Sequence, residues 1–114
     1  MAHEALTADD VLDVVVERLP AATQARKRSD TQIGFVLYDA FSVRGDYDDY
    51  GRGNWGFGVA VGADAMVSTV LGQRLTLCGS RDEVRAALDA VDRYARLRLG
   101  SEYLEAHAAA YGQR

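Results

Sequence analysis

Residue types on which common sites depend are scarce in this sequence. It has one cysteine and two histidines in 114 residues. A single cysteine excludes an intrachain disulfide and a cysteine-rich zinc site. His3 and His107 lie far apart in sequence, so a multi-histidine metal site would need carboxylates or a second subunit. We therefore expect neither a metal nor a cofactor.

Long apolar runs are also lacking. No run approaches the length of a membrane-spanning helix, and the opening MAHEALTADD lacks the basic start and apolar segment of a secretory signal. These features predict a cytoplasmic protein without a membrane partner. The net charge of −4 argues against nucleic acid as a partner, because phosphate binding depends on an excess of basic residues.

The length and composition, with 48% hydrophobic and 26% charged residues, are typical of a single globular domain, residues 1–114. Thr7 with Asp10, and Ser80 with Glu83, have the spacing of capping boxes, and apolar residues at helical spacing follow each. These patterns predict an N-terminal helix and a C-terminal helix. We expect Gly100 to stop or kink the second, before a last alanine-rich helix.

Alternating apolar residues predict strands over residues 33–41 and 55–61. In the second of these, one face carries large residues and the other only Gly and Ala, and we expect a helix to cover that nearly bare face. Residues 66–71 and 74–78 read as a hairpin turning at Gly72 and Gln73, with a short helix from Asp64 to Leu71 as the alternative for the first strand. Residues 21–31, with the basic triplet Arg26–Lys27–Arg28, read as a solvated connector or a frayed helix end.

This order of elements predicts an α+β fold. Strands joined by short links favour an antiparallel sheet, here of about four strands. Helices at both ends of the sequence would pack on one face of that sheet. The other face would be solvated or paired in a homodimer.

The segment 42–55 is the strongest candidate for a docking site. It combines acidic and aromatic residues in a glycine-rich stretch that we expect to form a long loop, and tyrosine and tryptophan are enriched in the centres of protein interfaces. The tyrosines and Trp55 flank a polar loop, which makes them hard to bury within the chain. The predicted partner-binding residues are Tyr47, Asp48, Asp49, Tyr50, Arg52 and Trp55.

Two motifs within this segment resemble ligand-binding loops but lack a feature that each site needs. Asp46, Asp48, Asp49 and Gly51 resemble the start of a calcium loop, but the twelfth position lacks the bidentate glutamate. The glycines of residues 51–56 match GxGxxG, but a strand follows them where a dinucleotide site needs a helix. Turn geometry and packing explain these glycines better.

Two residues are weak candidates for chemistry. Cys78 precedes a helix cap, which would lower its pKa, but nothing in the sequence brings His107 near it as a base. Most lone cysteines in apolar settings are core residues. Asp39 lies on an apolar strand face and is a possible acid or base, although a strand-end cap or salt bridge is the simpler interpretation. We assign no catalytic residue, and the sequence favours a non-enzymatic role.

These observations favour a small cytoplasmic protein-binding or regulatory module, such as an inhibitor, an immunity protein or a chaperone, that docks on another protein or on itself through the acidic-aromatic loop at 42–55. One alternative is a small-molecule site or minor enzyme on the glycine-lined strand face, with Arg44 or Arg52 fixing an anionic group. Another is a structural subunit of a larger assembly.

Overall fold

The computed structural model of the protein describes residues 6–48, 53–61 and 65–111. The described residues form two helices and seven strands. In chain order these are α1 (Ala8–Arg18), β1 (Ala22–Ser29), β2 (Gln32–Leu37), β3 (Phe41–Asp48), β4 (Asn54–Ala60), β5 (Met66–Val67), β6 (Thr69–Val70), β7 (Gln73–Arg74) and α2 (Arg81–Tyr111).

The first five strands form one antiparallel sheet in the order β1-β2-β3-β4-β5, and β6 pairs with β7. Both helices pack against the sheet. The predicted α+β fold with an antiparallel sheet is thus confirmed, with five strands in the main sheet instead of about four. No helix in the described residues is both long enough and apolar enough to cross a membrane.

The core lies between the helices and one face of the sheet, which we call the inner face. Alternate residues of β2 and β4 are buried there, and they meet valines of α1 and the apolar stripe of α2. The buried strand residues are Ile33, Phe35, Leu37, Val43, Trp55, Phe57 and Val59. Gly45 of β3 also lies on this face, where an added Cβ would come within 2.9 Å of Ile33 and 3.0 Å of Phe57. Because Gly45 has no side chain, the side chains of Ile33 on β2 and Phe57 on β4 can approach each other across β3.

The predicted capping box at Thr7 and Asp10 is present, and at Ser80 the hydroxyl caps α2 while the Glu83 carboxylate accepts from the Gly79 amide at 3.1 Å. The Thr7 hydroxyl accepts a hydrogen bond from the Asp10 amide at 3.1 Å, and the Ser80 hydroxyl accepts one from the Glu83 amide at 3.2 Å. Gly100 interrupts α2 with φ of 80° and ψ of 162°. The predicted kink is therefore also confirmed.

Two segments expected to be loops are strands. Residues 22–29 form β1, because their backbone pairs with β2 along one edge of the sheet. The first half of the expected loop at 42–55, residues 42–48, belongs to β3, which pairs with β2 on one side and β4 on the other. The expected strand over residues 33–41 ends at Leu37, because Tyr38 and Asp39 adopt positive φ and turn the chain.

The small hairpin also differs from the prediction. Its turn lies at Leu71 and Gly72, both with positive φ, one residue earlier than expected. Only Gln73 and Arg74 form its second strand, and Cys78 contributes an isolated bridge to Trp55. The expected strand over residues 74–78 is therefore wrong beyond Arg74.

We predict that Trp55→Ala destabilises the protein by about 3–5 kcal/mol, the usual cost of removing a large buried aromatic side chain. Trp55 is 0% exposed, and its indole N–H donates to the Leu6 carbonyl at 2.9 Å. Urea denaturation measures the change. The control Leu97→Ala removes a side chain that is 64% exposed and should change the free energy of unfolding by less than about 0.5 kcal/mol. Equal effects of the two substitutions would contradict this core.

The N-terminal capping box predicts a pH dependence. The Thr7 amide donates to the Asp10 carboxylate at 3.0 Å, and the hydrogen bonds from Thr7 lower the pKa of Asp10 below its ordinary value of 3.8, with a smaller contribution from Arg81. Folding therefore favours the ionised carboxylate. Its stabilising contribution is present above pH 3.8 and is lost as the pH falls through the lower pKa of the folded state.

Asp10→Asn should accordingly reduce the free energy of unfolding at neutral pH and have a much smaller effect in strong acid. Chemical denaturation over this pH range makes the comparison. Asp13→Asn, at an exposed position of the same helix, is the matched control. A difference between wild type and Asp10→Asn that persists unchanged in acid would show that the ionised carboxylate is not its source.

Candidate functional site

The structure places the predicted docking segment at the central hairpin of the sheet. Asp49, Tyr50 and Arg52 lie outside the described residues. Asp48 is the last residue of β3, and its side chain also lies outside the description. Tyr47 is half-buried, with its ring 5.6 Å from that of Trp55.

Trp55 does not have the exposure that a docking residue needs. The expectation that it is hard to bury within the chain is wrong. It lies on the inner face of β4, where its backbone exchanges two 2.9 Å hydrogen bonds with Cys78. Its indole N–H finds a partner in the carbonyl of Leu6. Tryptophan is readily buried when its single donor is satisfied, as it is here.

The opposite, outer face of the sheet is the exposed surface of this hairpin. It has a floor of Gly34, Gly56 and Gly58. A side chain lies over each of these glycines. A Cβ added to Gly34 would lie 3.1 Å from Arg28, one added to Gly56 3.1 Å from Thr76, and one added to Gly58 3.4 Å from Met66. The expectation that a helix covers the bare face of β4 is wrong, because both helices pack on the large-residue face.

The β1 strand contributes two arginines to the outer face through a bulge. Thr23 pairs with Val36 and Arg26 with Gly34, so Gln24 and Ala25 together oppose the single residue Phe35. Gln24 has a φ of 55°. Because strand side chains alternate, this extra residue moves Arg26 from the inner to the outer face and carries Arg28 with it.

The charges of the outer face are unbalanced. Arg44 binds Asp46 at 2.9 Å, and Gln32 donates to the same carboxylate at 2.8 Å, so that acidic group is satisfied. Asp46 was also the first position of the calcium-loop resemblance, and these bonds occupy its oxygens. Arg26 and Arg28 form no ion pair within residues 6–48, 53–61 and 65–111. Among the described residues, the outer face therefore carries two arginines without an ion pair, in a chain of net charge −4.

Two adjoining depressions cross this face. One, of about 210 Å³, is lined by residues that include Arg26, Arg28 and Val36. The other, of about 240 Å³, runs over Gly56 and Gly58 toward Thr76. Both include Arg44 and Met66, so they form one shallow trough across the strands. We call this trough, with its arginines and glycine floor, the outer groove.

Cys78 does not have the environment of a nucleophile. It is 3% exposed, and its thiol lies 3.7 Å from the carbonyl oxygen of Leu75. Burial raises the pKa of the thiol to about 11, with a smaller contribution from the negative charge of Glu83. The expected lowering by the helix N-terminus is therefore outweighed by desolvation.

Asp39 and His107 are in contact, although no pattern in the sequence predicts this pair. The His107 Nε2 atom lies 3.3 Å from an Asp39 carboxylate oxygen. The His107 ring packs edge-on against Tyr38 at 5.5 Å and stacks on Tyr103 at 6.3 Å. Asp39 thus lies at a turn with its carboxylate beside the imidazole of His107.

Tyr38 connects this cluster to α2. Its hydroxyl donates to Asp92 at 2.6 Å. Burial, together with the hydrogen bond to that carboxylate, raises the pKa of Tyr38 to about 12, so the phenol keeps its proton at neutral pH. Across the described part of the chain, no three His, Cys, Asp or Glu residues are grouped so as to hold a metal ion.

Comparisons with known proteins do not assign the chain. No protein-family model matches it, and neither the characterised proteins nor the solved structures searched give a significant match.

The environment of Cys78 predicts low thiol reactivity. Near neutral pH, the native protein should react with a disulfide reagent such as DTNB at least about 100-fold more slowly than the urea-unfolded chain, because little thiolate forms in the buried site. Absorbance of the released chromophore measures both rates. The unfolded chain serves as its own control for reagent quality. A native rate equal to the unfolded rate would contradict the burial of this thiol.

Proposed function

We propose that the protein is a small cytoplasmic binding module that docks an acidic segment of another protein in the outer groove. The observation that carries this proposal is the exposed face of the β3–β4 hairpin. Neither helix covers it, and Arg26 and Arg28 beside it form no ion pair with any residue that the structure describes. An inhibitor, an immunity protein or a chaperone would use such a surface.

The shape of the outer groove favours a chain segment over a compact small molecule. Its two depressions, of about 210 and 240 Å³, lie side by side along the sheet surface and are both open to solvent, whereas a small-molecule site encloses most of its ligand. Their continuity through Arg44 and Met66 suits an extended ligand that crosses several strands. The side chains of Arg28, Thr76 and Met66 lie over the glycine floor and would make the direct contacts with such a segment.

The charge of the groove favours an acidic partner. The Arg44–Asp46 pair is internally satisfied, which leaves Arg26 and Arg28 to attract carboxylates. Such attraction raises association rates and weakens with added salt. The described residues of the outer face include no aromatic side chain on which nucleobases could stack, which supports a protein partner over a nucleic acid.

Self-association is the second form of this proposal. A twofold contact through the outer face would bring the same positively charged patch of two copies together, which costs energy unless acidic groups interleave. The burial of Trp55 also removes part of the aromatic surface on which a homodimer was expected. We therefore favour a different protein as the partner. Light scattering of the purified chain tests this preference, and a stable homodimer would contradict it.

The test combines charge reversal with site-specific crosslinking in source cells. A photo-crosslinking amino acid at Ser42, exposed on the outer face, should capture the partner, whereas the same group at Val16, exposed on α1, should not. Arg26→Glu with Arg28→Glu should reduce capture by about tenfold or more, because attraction becomes repulsion. Mass spectrometry of the Ser42 crosslink should identify an acidic stretch of the partner.

Arg93→Glu with Arg98→Glu is the matched control, since it makes the same charge change on exposed positions of α2. This control should leave capture intact. Equal loss of crosslinking in both double variants would show that capture depends on the net charge of the protein and not on the charge of the outer groove. Capture from Val16 but not from Ser42, or no capture from Ser42 at all, would contradict docking in the outer groove.

A further inference from the structure

A second concave site lies between the end of α1 and the part of α2 that follows Gly100. Its volume is about 340 Å³, and Pro20, Leu104 and Ala108 form its apolar wall. Tyr38, Arg96 and His107 supply polar groups. Ligand sites have volumes from roughly 300 Å³ upward and combine apolar walls with a few polar groups. This cavity therefore has the size and lining of a small-molecule site.

The turn beside the cavity is held in an unfavourable backbone conformation. Tyr38 and Asp39 have φ of 55° and 54°, a left-handed region that is unfavourable for residues other than glycine. The Tyr38 amide donates to Ala21 at 3.2 Å, and the Tyr103 hydroxyl donates to the Tyr38 carbonyl at 2.6 Å. The turn is thus fixed from both sides of the cavity, and strain of this kind concentrates at ligand sites.

Arg96 differs from the other polar groups of the lining. Tyr38 donates to Asp92, and His107 contacts Asp39, so both are engaged within the fold. Arg96 is exposed at the rim of the cavity and forms no ion pair in the part of the chain that the structure describes. A guanidinium beside an apolar cavity is suited to hold a carboxylate through two parallel hydrogen bonds.

We infer that this cavity binds a small molecule with an apolar body and one carboxylate group. Arg96 binds the carboxylate, and the body lies against Pro20, Leu104 and Ala108. A cation of the same shape is repelled by Arg96, and a neutral analogue lacks the charge-assisted hydrogen bonds. The site is separate from the outer groove, so this inference does not rest on the protein docking proposed above.

The test is an amide NMR titration of the full chain with hexanoate, octanoate and phenylacetate, each compared with its primary amide. At least one carboxylate should shift the amide signals of Ala21, Leu104 and Ala108 in a saturable manner. Its amide should bind at least about tenfold more weakly, the effect of losing a hydrogen bond to a charged group. Arg96→Gln should weaken carboxylate binding by a similar factor and leave the binding of the amide unchanged.

Arg93→Gln is the matched control, because it removes one exposed arginine of α2 that does not line the cavity. It should bind as wild type does. Ala108→Phe should fill the cavity and abolish the shifts, while Ala109→Phe at the next position should preserve them. If Ala108→Phe does not fold, the surface substitution Arg96→Gln still decides the role of charge.

Three results would overturn the inference. One is the absence of saturable shifts at the cavity for every carboxylate up to its solubility limit. Another is equal affinity for a carboxylate and its amide. The third is unchanged carboxylate affinity in Arg96→Gln.

Discussion

Trp55 joins three separate parts of the chain. Its indole N–H donates to the Leu6 carbonyl in the segment before α1, and its backbone pairs with that of Cys78 just before α2. Its ring lies between these segments and the sheet, fully buried. Because side chains alternate along a strand, the inward position of Trp55 also forces Gly56 and Gly58 to the outside. The glycine floor of the outer groove is therefore a consequence of how the core is closed.

The charge of that groove depends on a second constraint, the register of β1. An unbulged β1 would direct Arg26 into the core beside Ile33, where an unpaired charge is too costly to bury. The extra residue at Gln24 and Ala25 places Arg26 opposite Gly34 instead. Lys27 then lies on the helix side, within 3.8 Å of Asp9 and 3.7 Å of Asp30. A triplet that looks uniform in sequence is thus divided between two faces with different roles.

Sequence patterns identified the parts of the fold that follow from local chemistry. The helix caps, the kink at Gly100 and the alternation of β4 were predicted because each depends on residues close together in the chain. The strands β1 and β3 were missed because their residues are mostly polar or glycine. The pairing of β3 is set by its neighbours on both sides. Only a glycine fits at position 45, because Ile33 and Phe57 occupy the space that a side chain would need.

The candidate sites were predictable only in part. The bare face of β4 could be inferred from alternation, whereas the two arginines that the bulge of β1 brings to the outer face could not. The burial of Trp55 could not, because its partner Leu6 lies far away in sequence. The same is true of the cavity beside Tyr38, which requires the kinked end of α2 to return to the β2–β3 turn. Nothing in the local sequence around His107 predicts its contact with Asp39.

The reactivity of the Met66 side chain tests most directly whether a partner occupies the outer groove. It is 41% exposed at the groove, whereas Leu97 is 64% exposed on the helical side. Hydroxyl-radical footprinting of the complex isolated from source cells should show strong protection of Met66 and unchanged labelling of Leu97. Protection of Leu97 with Met66 still fully reactive would place the partner on the helices and contradict the account.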